Sequence, residues 1–478
     1  MNVLNKSIVS ILVVLFCYSC KKFVQINPPT TELVTSSVFS TPSSAISTET
    51  VIYAQMWNNL ESYEMSSQNG LLADEFTNYS TSALQIDMYE NAMTAALGPS
   101  GCWIDAYNYI YEANAILAGM QGNKFTPSIA NQILGEANFI RAFWYFYLVN
   151  EYGDVPLVTT TQYQVNSLLS RTPKAQVYRQ IVTDLTAAEN LLNANYIDAT
   201  DTVVTTERVR PNKSVAAALL ARVYLYMGIY DSAETQATQV INNVAYSLIK
   251  PLTSTNYAFT KNNTEAIWQL STPLPTSFNG ATPEGFEYIL TSAPSNVALS
   301  QSLVNSFEPG DQRKAFWVGT YTTTSGTKTT YYFSYKYKVS LLNGSPTNIT
   351  EYTMVLRLAE QYLIRSEARA QQNNLSGAVA DLNTIRNRAG LPNIADSIAS
   401  SQSSMLNAIL HERQVELFTE WGHRWFDLIR MGAVDSVMGN PVNACKSKNG
   451  TWDDHSKLYP IQSTELGNDP NLVQNPGY

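Results

Sequence analysis

Apolar side chains recur at helical spacing over most of the chain. Residues 102–120 and 129–150 show this pattern, as does 174–194, where Val177, Ile181, Leu185, Ala188 and Leu192 share one face. An amphipathic helix is predicted near 43–63, and one more helix over 404–431. The 129–150 helix should stop at Tyr152-Gly153-Asp154-Val155-Pro156, because glycine accepts a left-handed turn and proline cannot continue a helix. A repeat is also visible. In 214–243, Leu220, Ala221, Tyr224, Ala233 and Ala237 fall at tetratricopeptide offsets, where small residues let two helices approach closely. Residues 354–388 repeat the offsets with Ser366, Ala378, Leu382 and Ile385, although Arg369 replaces the usual Tyr. With 129–194 as a possible third copy, the expectation is stacked helix pairs rather than a regular solenoid. Between the two copies, 250–345 is rich in Thr, Ser, Asn, Pro and Gly, with β-type runs such as Ala266-Ile267-Trp268-Gln269-Leu270. There, 321–339 reads as two strands around Ser325-Gly326. A loop-rich stretch this long inside a compact protein usually carries function.

Composition narrows the classes. Charged residues are only 14%, the net charge is −9, and no basic cluster exceeds Lys21-Lys22, so a cationic face for nucleic acid or anionic lipid is not expected. Aromatics at 11% in a weakly charged, hydroxyl- and amide-rich chain suit a protein that handles neutral polar ligands outside the cytoplasm. The start of the chain agrees. Lys6 precedes an apolar run from Ile8 to Cys17 broken only by Ser10; ten residues rise about 15 Å as a helix, half of a bilayer core. This is a signal-peptide core, not a span. Tyr18-Ser19-Cys20 follows and looks like a bacterial lipobox, with Cys17 where Leu is usual; residues 1–19 would then be cleaved and Cys20 lipidated. That leaves Cys102 and Cys445 as two buried thiols or a bridge.

Catalytic signatures are missing from the sequence. His411, His423 and His455 form no HExxH and no ligand spacing, so no metal site is expected. No GxSxG elbow, Walker A loop or GxGxxG is present, and none of the 39 acids stands out as a glycosidase pair. The expectation is no enzyme, no catalytic residue and no cofactor. The charged stretch 411–430 places Glu412, Glu416 and Glu420 one turn apart, followed by Arg424 and Arg430; it reads as a structural helix whose charges pair with neighbours.

Five motifs occur in order: the lipobox with Phe23 and Pro28-Pro29-Thr30, EANFIRAFWYFYLVNEYGDVPLV at 136–158, NTIRNRAGLP at 383–392, ERQVELFTEWGHRWFDLIRMG at 412–432, and the ending Tyr459-Pro460-Ile461 with Gln474-Asn475-Pro476-Gly477-Tyr478. Together they make the chain resemble the SusD/RagB family of surface lipoproteins over essentially its whole length. Ala137-Asn138, Asn150-Glu151 and Lys21-Lys22 depart from the usual pattern. The resemblance implies a mostly α fold, with tetratricopeptide-like helix pairs as scaffold packed against an irregular, loop-rich half with a few short strands. The scaffold would occupy about 40–250 and 351–432 of a 20–478 domain, the ligand-binding insertion about 250–345, and an irregular tail 433–478. It also implies a SusC-like TonB-dependent transporter as partner, an oligosaccharide or polysaccharide as ligand (in some members a peptide or glycopeptide), and a lipid anchor in the outer membrane, facing outward. A glycan hydrolase is the alternative from another class.

A glycan site needs exposed aromatic plates beside polar groups. Trp103, Trp144, Tyr145, Tyr224, Trp421 and Trp425 follow helical periodicity and are assigned to packing. Asp74, Phe76, Asn78, Tyr79 and Tyr89 lie in a polar stretch between helices, where the resemblance implies one side of the site. Phe286, Tyr288 and Trp317, in or beside the insertion, would supply the other. At least two of these are expected on one exposed concave surface, with Trp317, next to Gly319 and the expected hairpin, the foremost.

Overall fold

Each helix carries an apolar stripe that a neighbour must cover, and pairing is the outcome. In the computed structural model, which describes residues 38–99, 101–439 and 448–478, α1 (Pro42–Asn58) begins with Thr41 Oγ1 accepting from the Ser44 N–H and with proline in the first turn. The helix expected near 43–63 is in fact two. Leu60 adopts a left-handed backbone, φ 58°, and α2 (Glu61–Leu72) starts after it. Then follow β1 (Phe76–Asn78), α3 (Ala83–Tyr89), α4 (Gly101–Gly119) and α5 (Pro127–Tyr152). Gly153, at φ 74°, ends α5 where the sequence marks the stop. Two short strands, β2 (Val155–Pro156) and β3 (Arg171–Thr172), pair before α6 (Lys174–Leu191), α7 (Lys213–Tyr226) and α8 (Tyr230–Ile241).

The irregular half carries β4 (Ala266–Leu270), α9 (Pro283–Tyr288), β5 (Val297–Leu299), α10 (Gln301–Ser306), α11 (Gln312–Trp317) and the hairpin β6 (Val318–Thr322) and β7 (Thr330–Ser334). After β8 (Thr353–Arg357) the scaffold resumes with α12 (Leu358–Gln371), α13 (Leu375–Arg388), α14 (Gln402–Leu417) and α15 (His423–Arg430). The pairs α5/α6, α7/α8 and α12/α13 stack into one array, because α6 also packs on α7, α8 on α12 and α14 on α12. Ala233 and Ala237 are fully buried in one cluster with Ile364 and Ala368, the close approach that the repeat offsets predict. The fold is mostly α, and the strands make only antiparallel pairs: β1–β5, β2–β3, β4–β8 and β6–β7.

The expected 404–431 helix is broken. Thr419, Trp421 and Gly422 all have positive φ (55°, 46° and 72°), and the chain turns between α14 and α15. The turn drives Trp421 inward, where its backbone N–H donates to Ser66 Oγ at 2.7 Å and its indole N–H to the Met354 carbonyl at 2.8 Å. Gly422 packs so closely on Asn69 that a Cβ would lie 2.9 Å from its side chain. Strain at Thr419 and Trp421 is tolerated because buried contacts over-determine the turn.

Where the irregular half meets the scaffold, the core is ionic. Arg357 reaches Glu420 (2.7 Å), Glu416 (2.5 Å) and Glu265 (3.1 Å). Arg313 binds Asp311, Glu412 and Glu416, Arg388 binds Glu265 and Glu416, and Lys336 binds Glu420. The glutamates of 411–430 do pair with neighbours, as their spacing suggests, but from inside the protein rather than on its surface. On the far side, the Lys448 ammonium donates to the Leu71 and Leu72 carbonyls (2.6 and 3.1 Å), capping α2. Cys102 is a buried thiol beside Glu151; Cys20, the signal segment and Cys445 lie outside the described residues.

Candidate tyrosine-lined ligand face

The residues singled out in the sequence separate into a buried set and a surface set. Trp317 is the clearest correction. Its ring is fully buried, 5.6 Å from Phe259, with Lys336 Nζ, the Arg388 guanidinium and the Arg357 guanidinium 5.1, 5.2 and 5.8 Å from its centre. It is an aromatic shelf for the ionic core. Gly319, taken as a sign of exposure, instead makes room for Phe333, whose ring would lie 2.3 Å from a Cβ there.

Phe76 and Tyr288 are buried as well. The two regions do meet, but beneath the surface: Phe76 stacks on Tyr288 at 5.5 Å, and Tyr288 leans on Tyr63 at 5.2 Å. Asp74 is 6% exposed and accepts from Arg424 Nε (2.7 Å) and Nη2 (2.8 Å). Burial alone would raise its carboxyl pKa, but the Arg424 charge and hydrogen bonds hold it below the usual range. A bidentate buried pair of this kind fixes α2 to α15 and leaves no oxygen for a sugar. Phe286 is half-buried against Phe278, ring centres 4.5 Å apart.

Asn78, Tyr79 and Tyr89 reach the surface. Asn78 Oδ1 accepts from the Ser80 N–H at 3.0 Å, a local turn that presents the next residue. Tyr79 is 39% exposed and anchored by its backbone N–H to the Asn296 carbonyl at 2.8 Å. Its ring meets Tyr331 edge-on at 5.4 Å. Tyr331 sits on β7, which neighbours β5, and β5 pairs with β1; three strands from distant parts of the sequence therefore converge here. Across the hairpin Tyr321 stands opposite Tyr331, so both rings leave the same face. Tyr89 is half-buried, with Lys448 Nζ 5.1 Å from its ring centre. The result is a partly exposed corner of Tyr79, Tyr321 and Tyr331 flanked by Asn78 and Tyr89. Such rings offer flat apolar plates with hydroxyl rims. Tyr321 and Tyr331 were missed in the sequence; the signal available was their place on the two strands expected over 321–339.

Among the described residues one group, Glu308, His411 and Glu412, lies close enough together to hold a metal ion. Arg386 already supplies the cation there, bridging Glu308 (2.5 Å) and Glu412 (3.2 Å). His411 Nε2 is 2.8 Å from the Ser306 carbonyl, which makes that nitrogen the donor.

Burial of carboxyl groups makes stability depend on pH. Burial, with Asp74 adjacent, pushes the Glu75 carboxyl up to about 8; burial raises Glu151 and Glu351 to about 7. These groups hold protons in the folded chain that the unfolded chain gives up near pH 4.5, so their contribution is complete below that pH and lost as pH rises through 7 to 8. The thermal midpoint is therefore expected to fall steadily from about pH 5 to about pH 8, and Glu75→Gln to flatten that slope. A midpoint that rises over this range would contradict the assignment.

Among the described residues no helix is long and apolar enough to cross a membrane. The chain matches a family model described as the SusD family over residues 304–478, and one described as starch-binding and associating with the outer membrane over 33–225. It is 27% identical to SusD-like protein P2 of Formosa agariphila over 81% of each chain. Its fold matches a SusD superfamily protein from Bacteroides vulgatus at a TM-score of 0.75 and 20% identity, over 92% of this chain and all of that one (100%). Surface glycan-binding protein A from Bacteroides fluxus matches at 0.72 and 20% identity, over 92% of this chain and 100% of that one.

Proposed function

Since this chain is a SusD-like protein, we propose that it is a non-catalytic surface lipoprotein that binds an oligosaccharide or polysaccharide and passes it to a TonB-dependent outer-membrane transporter. Cys20 would carry the lipid that holds it to the outer membrane, facing outward. The stacked pairs over about 40–250 and 351–432 would be the rigid scaffold, and the 250–345 insertion would bring the hairpin to the ligand. The observation that carries the reading is the corner of Tyr79, Tyr321 and Tyr331. Sugars present C–H faces and hydroxyl rims, and partly exposed tyrosines satisfy both. The description of one matching family model as starch-binding, and the name of the Bacteroides fluxus neighbour, support the same ligand class.

Calorimetric titration of the full-length chain against a glycan panel tests this. Tyr331→Ala and Tyr79→Ala are each expected to weaken the best ligand by roughly 1–3 kcal/mol, by analogy with stacking losses elsewhere. Both side chains are partly exposed, so the fold should survive the change. Unchanged affinity in both variants, or new reducing ends appearing in the mixture, would reject the reading.

A further inference from the structure

A cavity elsewhere on the molecule has the opposite character to the tyrosine face. It measures about 540 Å³ and is lined by Leu248, Lys250, Pro251, Gln312, Thr384, Asn387 and Arg388. Its walls hold two cations and two amides but no carboxylate, in a chain whose net charge is −9.

The polar side chains differ in how firmly they are held. Arg388 is 4% exposed; its terminal nitrogens are held from the interior by Glu265 and Glu416, while its Nε–H is buried with no acceptor. Gln312 lies against Gly390, whose φ of 78° and bare Cα let the amide approach to 3.0 Å of where a Cβ would be. Its backbone N–H donates to the Ala389 carbonyl at 2.9 Å, fixing the start of α11 beside the end of α13. Lys250 and Asn387 are exposed at the rim, and their side chains make no ion pair or hydrogen bond within the described residues. Leu248 and Pro251 add the apolar part of the lining.

We propose that this cavity is a binding site for an oxyanion, and that its ligand is a carboxylate- or sulfate-bearing sugar unit. The charged group meets Lys250, Asn387 and Gln312, with the buried Arg388 charge behind them, and the ring lies on Leu248 and Pro251. The volume suits one or two sugar units. Elements separate from those of the tyrosine face build it, so it stands whether or not that face binds glycan.

The test titrates the full-length chain with glucuronate, sodium sulfate and glucose at low ionic strength. Glucuronate is expected to bind saturably, glucose not to compete, and the rim variant Lys250→Ala/Asn387→Ala to weaken binding at least about tenfold, the scale of a lost charge-assisted contact. Sulfate that displaces glucuronate supports the oxyanion site and marks the free anion as a second source. Tyr331→Ala should bind glucuronate like the parent chain, which separates this site from the proposed glycan face. Absent glucuronate binding, binding indifferent to the rim variant, or binding lost in Tyr331→Ala would each overturn the proposal.

Discussion

Arg357→Met is expected to cost roughly 3–5 kcal/mol of folding stability, enough to bring the protein close to unfolding at ambient temperature. The guanidinium is almost fully buried and holds three glutamates at once: Glu420 through Nε at 2.7 Å and Nη2 at 2.8 Å, Glu416 at 2.5 Å and Glu265 at 3.1 Å. Its Nη2 also donates to the Glu416 carbonyl at 2.7 Å. The Coulomb gain of a buried pair is largely offset by desolvation, so the cost of the substitution comes from the carboxylates left behind. Lys336, Arg388 and Arg313 can neutralise them only in part: Arg388 already divides its charge between Glu265 and Glu416, Arg313 also serves Asp311 and Glu412, and Lys336 also donates to the Glu416 carbonyl. Arg357→Lys keeps the charge without the planar fork and should recover only a fraction of the loss. Denaturant melts of the three chains decide the matter; an Arg357→Met midpoint close to that of the parent chain would mean the cluster is not what binds the two halves.

Trp317→Ala is the second large effect, expected at about 3–5 kcal/mol for truncating a buried tryptophan. The ring is close-packed against Phe259 and lies under three cations, so the variant leaves a cavity and removes a shelf on which those charges rest. Sugar affinity of the folded fraction should not change. A variant with normal stability and weakened glycan binding would restore Trp317 to the ligand face.

These two residues show where the sequence is legible and where it is not. The helix pairs could be read because burial follows a fixed period: Val177, Ile181, Leu185 and Ala188 are fully buried, and the alanines at the repeat offsets are where α8 meets α12. Gly153 could be read because its conformation is a local property. Trp317 could not. Whether a loop tryptophan is exposed depends on what arrives from elsewhere, and here Lys336, Arg357 and Arg388 arrive from later in the chain. The break at 419–422 was equally hidden, because Trp421 adopts a positive φ for the sake of distant Ser66 and Met354. For the candidate face, Tyr79 could be named from its polar surroundings, but its ring partner Tyr331 comes from a distant strand that β5 brings alongside.

The cap that Lys448 places on α2 has a consequence for the order in which the molecule can be assembled. The contact spans 377 residues, and its companions Asp74–Arg424 and Ser66–Trp421 span 350 and 355. A chain emerging from its N-terminus makes α2 early, yet α2 must wait for nearly the whole polypeptide before its last carbonyls, its aspartate and its serine find partners. Closing loops of this length comes late and slowly. Any chain stopped short of residue 424 would leave Asp74 charged and unpaired, so the first half cannot reach its final form without the second.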